Sequence, residues 1–455
     1  MRQQEKMPSP SVDGAVRIAM NPGIARISVL LAILVFCCGE GAALDPTSHI
    51  SQYGHTVWRV RDGYFAGASP IVITQTTDGY IWVGTMEGLY RFDGVRFVRW
   101  TSPFGEELPA STVVNLLGAR DGSLWIATWG GLVHLVKDRL RVYHKNEGWV
   151  AGTIIENGEG KIWFTELRVA DRASNLCQIL EAGVRCYGGK EVGLGYGGNV
   201  VQDSAGGFWV SDYKTLAKWR PGARPQPVAS AAGPILFLPE SDGSVWIGLN
   251  DPGRGGGLQR MVGGTLRPFL APKLNGETIA VIALHNDRQG NLWVGTDGQG
   301  LYRIRGTDVD HYGTAEGLSS DVIQFNGIFE DREGNTWVMT RQGLEMFRDL
   351  RVKSISKLEG LNDDAVQSVA AARDGSVWIG GGRLQLLGPH GVSFKPGKEL
   401  PGNTVATTFI DHAGRLWAGM RNKLFVYTVT PTGVKQAPGS PHAIKSPQNL
   451  IVLPK

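Results

Sequence analysis

Residues 78–97 read DGYIWVGTMEGLYRFDGVRF, and they contain most of what decides the fold. An Asp-Gly pair is followed by YIWVGT, in which a tryptophan sits between apolar residues, then by a Met-Glu-Gly turn, LYRFD, a further glycine turn and VRFVRW up to Trp100. IVITQT (residues 71–76) comes just before the Asp-Gly pair and alternates in character. Short alternating runs punctuated by Gly and Asp are the mark of antiparallel strands joined by tight hairpins, so this stretch predicts four consecutive strands.

The same unit recurs along the chain. Its tryptophans are Trp82, Trp125, Trp163, Trp209, Trp246, Trp293, Trp337, Trp378 and Trp417, with successive spacings of 43, 38, 46, 37, 47, 44, 41 and 39 residues. A period near 40 residues built from short strands predicts the blades of a β-propeller, and the class is all-β because no stretch holds a helical period for three turns. Each tryptophan can bury about 150–250 Å². At a fixed strand position it supplies packing between sheets, so these nine residues are expected to be structural.

Nine repeats exceed the four to eight blades of an ordinary ring. The expected division is a leader over residues 1–43, a seven-bladed propeller over 44–351, two repeats of an incomplete second propeller over 352–430, and a Pro-rich tail over 431–455. A single larger ring of eight or nine blades is the alternative. The strand HTVWRV (residues 55–60) precedes the first repeat and is placed to complete the last blade of the first ring.

The leader is suggested by Arg17 and Arg26 ahead of the apolar run ISVLLAILVFCCG and the small residues Gly41-Ala42-Ala43. That order suits a secretory signal peptide cleaved before Leu44, and the run is too short to span a bilayer. The expected location is periplasmic or secreted. In that oxidising setting Cys177 and Cys186, which flank a hairpin turn in CQILEAGVRC, are candidates for a cross-strand disulfide, with two free thiols as the alternative. Net charge is +4, of which the first 43 residues carry +1. The basic residues form no stripe, so nucleic acid is not an expected partner.

No metal or cofactor signature is present. HExxH and GxSxG are absent, the GxGxxG match at Gly193, Gly195 and Gly198 leads into a strand rather than a helix, and GRGGG (residues 253–257) lacks the Lys-Ser/Thr of a phosphate loop. No catalytic residue is assigned. In an up-and-down blade the loops after the second strand and those between blades share one face, opposite the Asp-Gly turns. On that face fall Trp129, Trp149, Tyr196, Tyr213, Asn250, Asp297 and Arg341, with Met86, Glu87, Phe104, Glu166, Asp212 and Asp251 beside them. Aromatic and polar side chains around a concave mouth suit a small ligand with an apolar face and several hydroxyls, such as an oligosaccharide.

These repeats resemble the two-component regulator propeller family, found in the extracytoplasmic sensor regions of bacterial histidine kinases and hybrid regulators. The resemblance rests on WRVRDG, DGYIWVGTMEGLYRFDGVRF, GNLWVGTDGQGLYRI (290–304), GTAEGLSSDVIQ (313–324) and LEGLNDDAVQSV (358–369), and it covers about residues 50 to 427. The repeats around Trp163 and Trp209 depart from it. It implies a sensory input module that binds a small extracellular ligand without catalysis, with a histidine kinase or a second propeller half as a further partner and a homodimer as an open option. A propeller lyase or glycosidase and a protein-interaction scaffold are the alternatives.

Overall fold

The computed structural model describes residues 44 and 48–443, apart from 145–148, 169, 171, 196, 204, 213, 231–234, 351, 389–393, 396–403, 421–422 and 431–432. Residues 43–455 form one compact unit. The expected leader and most of the expected tail lie outside the described residues.

Among the described residues nine antiparallel sheets of four or five strands succeed one another, spanning residues 70–99, 113–144, 149–188, 199–230, 235–268, 281–312, 323–348, 368–395 and 407–443, here sheets 1 to 9. In sheets 1 to 6 and in sheet 8 four strands run in simple order from inside to outside. Sheet 7 has three strands of its own and takes its fourth from much earlier in the chain. Gly54–Arg59 pairs antiparallel with Gly343–Arg348, from Gly54 opposite Arg348 to Arg59 opposite Gly343. Each sheet packs on the next from 1 through 7, sheet 7 packs in turn on sheet 1, and sheet 8 packs on sheet 9. The fold is a β-propeller. A single helical turn, Gly189–Val192, and a few 3₁₀ turns are the helical content described.

The first hairpin of every sheet is built in one way. Thr76 N–H donates to Tyr80 O while Gly79 N–H donates back to Thr76 O, and the same pair of bonds recurs in the other eight sheets. The turn glycines, Gly79, Gly122, Gly160, Gly206, Gly243, Gly290, Gly334, Gly375 and Gly414, all have φ between 74° and 92°. This is a type I turn closed by a left-handed residue, a position that glycine fills without steric cost.

Six residues after the start of that turn comes the tryptophan, and each of the first eight packs across to a neighbouring sheet. Trp82 joins Val113, Leu116, Leu124 and Ile126 of sheet 2, Trp125 joins sheet 3, and so on to Trp337, which packs with Ile73, Ile81 and Val83 of sheet 1. Trp378 packs with Leu416 and Ala418 of sheet 9. All eight are buried. Trp417, in the last sheet described, is half-buried and lies against His442 of its own sheet. The indole N–H has a repeated partner: Trp293, Trp337 and Trp417 donate to the Oδ2 of Asp287, Asp331 and Asp411, six residues earlier, at 2.7–2.9 Å. The Oδ1 of each of these aspartates accepts turn amides, for example from Gln289 and Asn291 at Asp287. In sheet 1 Thr76 takes the aspartate's place as acceptor for Trp82.

The strand borrowed by sheet 7 is pinned by a buried polar cluster. His55 Nε2 lies 2.6 Å from Oε2 of Glu345, which is fully buried. Ser319 donates its N–H and hydroxyl to Glu345 Oε1 at 2.7 and 2.6 Å, and Tyr312 Oη lies 3.2 Å from His55 Nδ1. The His55 ring stacks on Phe347 with centroids 4.6 Å apart. A buried carboxylate with this many partners is tolerated where an unpaired one would not be.

Candidate functional site

The turn after the second strand is held by the threonine of the Gly-Thr motif. Thr85 Oγ1 donates to Gly88 O and accepts from Glu87 N–H; Thr128 does the same with Gly131 and Gly130, and Thr340 with Gly343 and Gln342. All three threonines are fully buried, so each turn tip stands on a fixed base. The tips carry Met86-Glu87, Trp129 and Arg341, all exposed.

Tips of neighbouring sheets are tied to one another. Thr112 accepts the Trp129 N–H at 3.3 Å and donates its hydroxyl to Met86 O at 3.3 Å. Ser69 donates to Arg341 O at 2.7 Å, and Arg99 Nη2 donates to Glu87 O at 2.7 Å. Between the tips of sheets 7, 1 and 2 lies a cavity of about 710 Å³ whose wall includes Met86, Glu87, Arg99, Trp129, Arg341 and Gln324. This volume lies within the range of about 300–1,000 Å³ typical of small-molecule sites. Trp129 is 60% exposed, which leaves indole surface open to a ligand.

A second cavity of about 280 Å³ adjoins the first and shares Ile71, Val114 and Gln324 with it. Residues from sheets 1, 2, 3, 4 and 7 line it, among them Asn115, Thr153, Asn199, Asp212 and Phe325. Inner strands of so many sheets meet only at the axis of the propeller.

The expected site residues are therefore divided. Trp129 and Arg341 share the first cavity. Asn250 and Asp297 line neither cavity: Asn250 Oδ1 is buried, and Asp297 is tied through its backbone to Ala280 and bridged to Val322. Asp251 lies in a separate cleft of about 350 Å³ between sheets 4 and 5. Glu166 is buried against Cys186 and Asn175 rather than in an open loop, and Phe104, half exposed, lines neither cavity and has the Arg139 guanidinium over one ring face, 3.4 Å from its centroid. Tyr196, Tyr213 and the side chain of Trp149 lie outside the described residues. Phe325 and Gln324 are not among the expected site residues: the Asn326-Gly327 pair marks a bend or bulge within IQFNGIF but does not say which cavity it would line.

Cys177 and Cys186 face each other across the outer hairpin of sheet 3 and are joined by a disulfide. A cavity of about 740 Å³ on the opposite face, between sheets 2 and 3, is lined by Arg120, Glu156, Glu159 and Lys161. Its two cations are paired, Arg120 with Glu156 at 3.0 Å and Lys161 with Glu159 at 2.6 Å, and Asp121 and Glu181 also line it.

Residues 274–298 match the family described as "Two component regulator propeller". No curated protein sequence matches the chain. Among solved structures, the extracellular domain of a protein described as the putative hybrid two component system BT3049 from B. thetaiotaomicron superposes with a TM-score of 0.59 at 18% identity, covering 81% of this chain and 52% of that one. The extracellular domain of BT4673 from the same organism, likewise described as a hybrid two component system, gives 0.52 at 18% identity, covering 83% and 52%. The chain thus spans about half the length of these two domains. Virginiamycin B lyase from Staphylococcus aureus gives 0.50 at 16% identity, covering 66% and 100%. At these identities the likeness is one of fold.

Proposed function

We propose that this chain is the ligand-sensing input module of an extracytoplasmic two-component signalling protein, and that it binds an oligosaccharide without altering it. The observation that carries this reading is the cavity between the tips of sheets 7, 1 and 2, where the exposed Trp129 stands beside Arg341, Arg99 and Glu87. An indole face can stack on the apolar face of a sugar ring while guanidinium and carboxylate groups reach its hydroxyls. The two component regulator propeller repeat at 274–298 supports the signalling role. Output would come from a histidine kinase segment or partner. The leader-like order of residues 1–43 supports export, with a mature chain beginning near Leu44, which mass spectrometry of exported protein reads directly.

Substitution tests the site. Trp129→Ala and Arg341→Ala should each weaken oligosaccharide binding in calorimetric titration by about tenfold or more, since about 1.4 kcal/mol of lost contact is a factor of ten. Both side chains are exposed, so the melting temperature should stay near that of the parent protein. Normal binding by both variants would remove this cavity as the site.

A further inference from the structure

The inner strand of sheet 7 differs from its counterparts. In sheets 1, 2, 3 and 6 the inner strand carries one extra residue near its start; in sheet 1, for example, Pro70 faces Thr85 and Val72 faces Gly84, two steps against one. In sheet 7 Ile323 faces Thr340 and Ile328 faces Val338, five steps against two, so three residues are extra.

The added length runs toward the axis. Asn326 takes φ 51°, a left-handed conformation that Asn tolerates better than most residues. Its Nδ2 donates to Asn199 Oδ1 of sheet 4 at 3.4 Å, although sheets 7 and 4 are not neighbours. Phe325, beside it, is 49% exposed and lines the axial cavity of about 280 Å³. A phenylalanine left open at the end of an enlarged bulge contributes little to the core, which leaves its ring face free for a ligand.

We infer that this axial cavity is a second subsite, for one neutral pyranose ring, with Phe325 as its stacking platform. The inference rests on the proposed sensing role and names the part of the ligand this subsite takes. Its volume is just below the range of pockets for drug-sized molecules, which suits a single ring. Its polar wall is made of amides and hydroxyls: Asn115, Thr153, Asn199, Ser211, Gln324 and Asn326. The carboxylate among the described lining residues, Asp212, is occupied by backbone amides. Its Oδ2 accepts from Gly195 at 2.6 Å, and its Oδ1 from Lys214 and Thr215 at 2.7 and 2.6 Å. Amide groups both donate and accept, as sugar hydroxyls require, and the described lining offers no positive charge to a uronic acid. A chain of several sugars could then place one ring on Phe325 and another on Trp129, since the two cavities share Ile71, Val114 and Gln324.

The test uses the full chain and its Phe325→Ala, Phe325→Leu and Trp129→Ala variants, titrated with hexasaccharides of glucose, mannose and xylose and with the hexasaccharide of galacturonic acid. A neutral hexasaccharide should bind, and both Phe325 substitutions should weaken it at least tenfold, with the melting temperature unchanged. Trp129→Ala should weaken it separately. If Phe325→Ala or Phe325→Leu binds as the parent does while Trp129→Ala does not, the axial subsite is wrong and the sensing site stands. If the galacturonic acid ligand is the one that depends on Phe325, the assignment to a neutral ring is wrong. If no hexasaccharide binds the parent chain, the sensing reading itself fails.

Discussion

At the scale of single residues, three repeats place an aspartate as acceptor for the blade indole, whereas the indole N–H groups of Trp163 and Trp378 are buried without a hydrogen-bond partner. Asp287 is nearly inaccessible to solvent, yet its carboxylate takes the Trp293 N–H, two turn amides and the Asn291 side chain. Opposite Trp293 on the neighbouring strand stands His285, whose Nε2 is buried without a hydrogen-bond partner. Burial holds its pKa down to about 4, with Asp287 pulling it up and Arg288 pushing it further down. The folded chain therefore refuses a proton that the unfolded chain accepts below about pH 6.5. Stability should be full above that value and fall as pH drops toward 4, by up to about 3 kcal/mol from this residue alone. Urea unfolding at a series of pH values checks this. A His285→Gln variant should show a flatter profile between pH 6.5 and 4, and an unchanged slope would contradict the assignment.

At the scale of the element, the blade is largely legible in sequence and the site only in part. Turn glycine, tryptophan and Gly-Thr are visible because each has a local physical reason: a left-handed φ, a buried indole, a hydroxyl under a turn. An aspartate stands six residues before Trp209, Trp293, Trp337 and Trp417 but not before the other five blade tryptophans, so it is a weaker signal than the turn glycine. The bulge holding Phe325 has a local signal in the Asn326-Gly327 pair, but its size does not: only the pairing with Thr336–Thr340 reveals the three surplus residues. Nor does a loop's sequence say which sheets are neighbours at the rim, so Asn250 and Asp297 group with Trp129 and Arg341 in sequence although they line neither cavity. Sheet 3 carries a prediction of its own. Its disulfide closes a short loop in the outer hairpin, for which the chain-entropy account gives roughly 2–3 kcal/mol. Replacing Cys177 and Cys186 by serine should lower stability by about that amount and leave ligand binding unchanged, because neither residue lines the two cavities. Non-reducing peptide mapping that found both as free thiols would remove the bond.

At the scale of the whole molecule, the strand Gly54–Arg59 and the seventh repeat belong to one sheet, so residues 54–348 are held together from both ends. Polar contacts join the segment just before this ring to the segment just after it: Ser51 and Glu359 share a hydrogen bond, Lys353 reaches Ser48, and Gln52 donates to Ser354 O. The core of sheets 8 and 9, around Trp378, Leu416 and Tyr427, is made from their own residues. Truncation after Arg351 should accordingly leave a unit that unfolds cooperatively near the temperature of the full chain. An aggregated or molten product would mean that residues 54–348 depend on the segment after them, through contacts such as Ser51 with Glu359. The central claim, that the chain binds a glycan at the propeller mouth and leaves it intact, is tested most directly by titrating the full chain with the hexasaccharide panel and then analysing the recovered sugar by chromatography. The account predicts saturable binding to a single site and a glycan recovered unchanged after prolonged incubation; shorter fragments or an unsaturated end in the recovered sugar would make the chain an enzyme and contradict it.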